Sequence, residues 1–103
     1  MLDQVLETWQ INHRVNMKLM ESVSDDGMLS TLSTRGGRDV ARQFAHMHDV
    51  RFWWLEGHFR DLSKGLSKFA SKRSPSKAEI RKAHDVSTKA VEEMFRRVID
   101  GGE

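Results

Sequence analysis

Along three stretches of this chain apolar residues return every three or four positions, and nowhere do β-branched residues alternate with polar ones. That spacing is the period of one face of an α-helix, and the missing alternation removes the half-buried strand. The first stretch, about 2–23, carries Leu2, Val5, Leu6, Trp9, Leu19, Met20 and Val23. The second, about 40–62, carries Val40, Ala41, Phe44, Met47, Leu55, Phe59 and Leu62. The third places Ile80, Ala83, Ser87, Ala90, Val91, Met94, Phe95 and Val98 on one face. The only proline, Pro75, stands between the second and third. The expected fold is all-α, a single domain over 1–103 built as an antiparallel bundle of three main helices.

The punctuation agrees with these limits. Ser24-Asp25-Asp26-Gly27 carries turn chemistry that stops the first helix. Asp39 is placed to N-cap the second. Ahead of it, Arg35-Gly36-Gly37-Arg38 reads as a turn; a Gly-Gly between arginines could hold an anion, but the P-loop spacing is absent. Ser76 and Glu79 form a capping box for the third helix, and Gly101-Gly102 end it.

Composition narrows the chemistry. A chain of 103 residues supports one core. With no cysteine there is no disulfide, zinc–thiolate site, thiol nucleophile or iron–sulfur cluster. No apolar run is long enough to span a bilayer, and Met1-Leu2-Asp3-Gln4 lacks the order of a signal peptide, so a cytoplasmic protein without membrane contact is expected. A net charge of +2 does not imply nucleic acid. Bases do concentrate between Lys64 and Lys82, where Phe69 is the only aromatic. A small nucleic-acid-binding domain using 64–82 is therefore an alternative, although a solvated basic loop is the plainer reading.

Polar residues interrupt the apolar faces. Asn12, His13 and Asn16 fall on the buried side of the first helical wheel and need hydrogen-bond partners there. Phe44-Ala45-His46-Met47-His48-Asp49-Val50-Arg51-Phe52-Trp53-Trp54-Leu55-Glu56 puts two imidazoles, a guanidinium and two tryptophans into one helix. The tryptophans read as core anchors. His46 and His48 are two apart, so a helix turns them about 200° from each other and they cannot chelate together. The wheel puts His48 inside the apolar face and His46 nearer Val50 and Trp53, and His13 could meet one of them across packed helices. The carboxylates Asp49, Glu92 and Glu93 read as exposed.

Trp9-Gln10-Ile11-Asn12-His13-Arg14 in the first helix, with Gln43 through Glu56 in the second, resembles the DinB/YfiT-like superfamily of four-helix bundles. The family pattern is an Asn-bearing first helix and then a His followed eight residues later by a Trp, which His46 and Trp54 match. The resemblance implies a divalent metal, nickel or zinc, held by one histidine of the second helix and an HxxxH pair of the fourth. Carried over, the metal ligand is His46, with His48 and His13 less favoured. Some relatives are thiol-dependent transferases or hydrolases. This chain reaches Glu103 where the family continues into its fourth helix, so the metal site is expected to be incomplete and apolar surface left bare. The expected function is an oligomeric scaffold or binding protein, a homodimer in the simplest case. The alternative is a metal-dependent thiol transferase or hydrolase with its site completed by another chain.

Overall fold

The computed structural model describes residues 1–31, 39–69 and 74–101. Five helices follow in order: α1 (Leu2–Ser22), α2 (Asp25–Met28), α3 (Val40–His58), α4 (Arg60–Ser63) and α5 (Lys77–Ile99). Among the described residues there is no strand, only an isolated bridge between Thr31 and Asp39. The all-α expectation holds. The Arg35-Gly36-Gly37-Arg38 turn lies outside the described residues.

The helix ends follow their sequence signals. Ser24 accepts from the Gly27 N–H and starts the single turn of α2, so the turn that ends α1 also begins a helix. Asp39 caps α3 by accepting from the Arg42 N–H at 2.7 Å. Both arms of the Ser76–Glu79 capping box form, at 3.2 and 3.1 Å. The ammonium of Lys77 donates to the Glu21 and Val23 carbonyls, where α1 exposes its negative end.

One boundary differs. The second helix was expected to run to Leu62, but α3 stops at His58 and Phe59 breaks the path at φ −141°, ψ 67°. The non-helical Phe59 backbone turns the chain into α4, with Gly57 weakening the last turn.

Helix α5 is central: α1 and α3 each pack on it, and their backbones do not meet one another. The pairings fix direction. Against α1, Trp9 meets Thr88, His13 meets Asp85 and Glu21 meets Arg81, an antiparallel match. Against α3, Phe44 meets His84, Arg51 meets Ser87 and, just past the helix end, Asp61 meets Arg97, a parallel match. The expected antiparallel bundle therefore holds for α1 only. The physical reason is that the chain returns along α3 before α5 begins, with Ser67 bonded to His48, Phe69 to Asp49 and Ser74 to Asp39.

The interior is layered. One apolar cluster joins Met20, Met28, Ala41, Phe44 and Ile80. A second joins Leu55, Leu66 and Val91, with Trp9, Phe52 and Phe95 around it. Between them the three helices contribute polar residues, buried or half-buried: His13, His48, Arg51, His84, Ser87 and Thr88. Two expectations about burial fail. Trp53 and Trp54 are 49% and 55% exposed, so the aromatic anchoring the core is Trp9, edge-on to Phe95. Asn12 is exposed and accepts from the Asn16 amide within the same helix, because the antiparallel contact with α5 uses the Trp9–His13–Met20 face instead.

Candidate functional site

The polar layer is assembled by helical spacing. On α5, His84 and Thr88 follow Ile80 by four and eight residues and so share its inward face. On α3, His48 and Arg51 follow Phe44 by four and seven. His13 faces them from α1, four residues after Trp9. Each helix thus spends one turn of its buried face on polar groups.

These groups form one directed chain of hydrogen bonds. Nη1 of Arg51 donates to Ser87 Oγ at 3.0 Å and to Thr88 Oγ1 at 3.3 Å. The Asp85 carboxylate accepts from His13 Nε2 at 2.8 Å, so the imidazole proton sits on that nitrogen. His13 Nδ1 then accepts the Thr88 hydroxyl at 3.2 Å. The Trp9 indole N–H closes the layer on the Thr88 carbonyl at 3.0 Å. Acid, imidazole and hydroxyl stand in the order that activates a nucleophile, beside a cavity of about 470 Å³. Thr88 is buried in mid-helix, however, where neighbouring N–H groups serve the helix and leave no oxyanion-holding pair. The chain of bonds orients Arg51 and ties α1 to α5.

The guanidinium of Arg51 lies 4.7 Å from the Trp9 ring centroid, in cation–π contact. Burial brings its pKa down to about 10, with no carboxylate to oppose the shift. No described acid pairs with it, since Asp85 is occupied by His13. Asp49, expected on an exposed face, is half-buried and accepts from the Phe69 N–H.

A second arrangement joins His48 and His84, 1% and 0% exposed. His48 Nε2 donates to the Ser67 carbonyl and His84 Nε2 to the Phe44 carbonyl, both at 2.8 Å. A carbonyl only accepts, so both rings carry their proton on Nε2 and leave Nδ1 as a lone pair. Neither buried Nδ1 has a partner. Burial lowers the His84 pKa to about 4; the bond to Phe44 opposes this, and Arg51, His48 and His13 add to the lowering. Phe69 stands edge-on to His48 and helps pin the 64–69 segment to α3.

The residues named from sequence do not converge on a metal. His46 is half-buried beside the edge of Trp53, and it makes no hydrogen bond among the described residues. His48 is taken up with Ser67, and His13 with Asp85 and Thr88. Among the described residues no three His, Asp or Glu gather. The His48 and His84 centroids are 6.3 Å apart. Bonds near 1.33 Å give a five-membered ring a radius of about 1.1 Å. The two nitrogens therefore stand at least about 4 Å apart, while a tetrahedral ion about 2.1 Å from each requires roughly 3.4 Å. As placed, the pair does not fit a shared ion.

Sequence reasoning missed His84 and Thr88 because both are polar, yet their spacing from Ile80 was the signal. It also passed over Arg51, whose place three residues after His48 puts it on the same face. No family model matches the chain, and no curated protein or solved structure matches it.

Proposed function

We propose that this chain is a DinB-like bundle unit that acts as a binding protein and is completed by a second copy of itself. The observation that carries the reading is the bare apolar surface of the two helices that flank α5. The α1 and α3 backbones do not approach one another, although their side chains meet where Arg51 lies on the Trp9 ring and Met20 clusters with Phe44. Large apolar side chains stand exposed on the flanks away from α5: Val15 and Leu19 on α1, Val50 and Trp54 on α3. Bare apolar surface of this kind is favourable to cover. A helix from a second copy, laid against these flanks, would give each chain its fourth neighbour.

Sedimentation equilibrium tests this. The chain is expected to be a dimer, and Leu19→Glu with Trp54→Glu is expected to give a folded monomer. A parent chain that is already monomeric at tens of micromolar overturns the reading. The enzyme alternative has one supporting feature, the free imidazole of His46 one turn before Val50. Nickel or zinc would need its other ligands from the covering helix. Stoichiometric binding lost in His46→Ala is the result that reading predicts. The nucleic-acid alternative is weakened by Lys77 and Arg81, which are spent on the end of α1.

A further inference from the structure

Arg51 is costly where it stands. It is a half-buried cation, shifted by desolvation and paired with no acid. Its partners are two hydroxyls and one indole face. A guanidinium has five N–H donors in a planar fork. The hydroxyls of Ser87 and Thr88 occupy Nη1 alone, and Nε and Nη2 have no partner among the described residues. Arg51 is half-buried and keeps some exposure to the surface, in contrast to His48 and His84. The free Nε–Nη2 edge is the edge that takes a carboxylate with two parallel bonds.

We propose that Arg51 anchors a carboxylate-binding site, in which Ser87 and Thr88 fix one end of the guanidinium, Trp9 holds its plane, and the free edge takes the anion. A single positive charge matches a monoanion. The Trp9 ring over which the guanidinium lies is an apolar neighbour, and it suits a small carboxylate with an apolar body. The same chemistry is available from an Asp or Glu side chain of a second copy packed against α1 and α3. This second source rests on the dimer reading above; the first does not.

The test uses the full chain, labelled with ¹⁵N, and follows the arginine Nε–H resonances. Sodium benzoate, benzyl alcohol and inorganic phosphate are titrated at constant ionic strength. The Arg51 resonance is expected to move saturably with benzoate and not with benzyl alcohol. Arg51→Lys keeps the charge and the stem and is expected to weaken binding at least tenfold, while Arg51→Met abolishes it. The amide spectrum reports whether each variant is folded. If a partner's carboxylate fills the site, benzoate leaves the resonance unmoved, and both variants weaken dimerisation at least tenfold in sedimentation equilibrium. Two results overturn the proposal: a phosphate response equal to that of benzoate, or no saturable shift together with unchanged self-association.

Discussion

The two apolar layers and the polar layer between them use the same three helices and the same inward faces, yet they obey different constraints. In the apolar layers each buried side chain is replaceable by another of similar shape, and burial alone stabilises it. In the polar layer each group needs a partner, and among the described residues Nδ1 of His48, Nδ1 of His84 and the Nε–Nη2 edge of Arg51 have none within the protein. A core selected for stability alone would have leucine or methionine there. Unmet polar capacity concentrated in one layer is the feature on which the proposed carboxylate site rests.

The contrast is sharpest for a truncation in the apolar layers. Leu55 is fully buried, so Leu55→Ala is expected to cost about 2–5 kcal/mol in urea unfolding. A loss under 1 kcal/mol would mean that this layer is loosely packed and that the contrast is false.

The polar layer answers to pH instead. The unfolded chain protonates residue 84 near the ordinary histidine value of 6.5, and the folded chain only near 4. Between those values the unfolded state binds more protons. Stability is therefore expected to fall as pH drops from about 6.5 to about 4, by on the order of 3 kcal/mol, and to level off below. Denaturant titrations at several pH values check this, with His84→Gln expected to remove most of the slope. An unchanged slope in that variant would contradict the assignment.

A smaller effect tests the helix start outside both layers. Ser76→Ala breaks one arm of the capping box, while the Glu79 carboxylate can still accept from the backbone N–H of residue 76. The expected loss is about 1 kcal/mol by thermal unfolding.

The apolar layers were legible in the sequence because period and composition point the same way. Ile80, Val91, Phe44 and Leu55 all fall on the expected faces, and Ser76–Glu79 and Asp39 marked where helices begin. Direction was not legible, because the parallel run of α3 and α5 depends on the contacts that Ser67, Phe69 and Ser74 make back along α3. The polar layer was half legible. His48 was placed inside by the wheel, but His84 and Thr88 were passed over as polar. The motif reading favoured His46, which lies half-buried beside the edge of Trp53. The exposed positions of Trp53 and Trp54 were misread because residue type suggests burial, whereas the free flank of α3 decides it.

The most direct measurement of the central claim is the unfolding free energy of Arg51→Met beside that of the parent chain. Every group that Arg51 touches keeps another contact: Ser87 donates to the His84 carbonyl, Thr88 to His13, and Trp9 packs on Phe95. Methionine can lie along the same path on Trp9 without a desolvated charge. If the polar layer is kept for binding, the variant should be as stable as the parent or more so, while losing its response to benzoate. A loss of stability as large as that of Leu55→Ala would make Arg51 a structural cross-link and contradict the account.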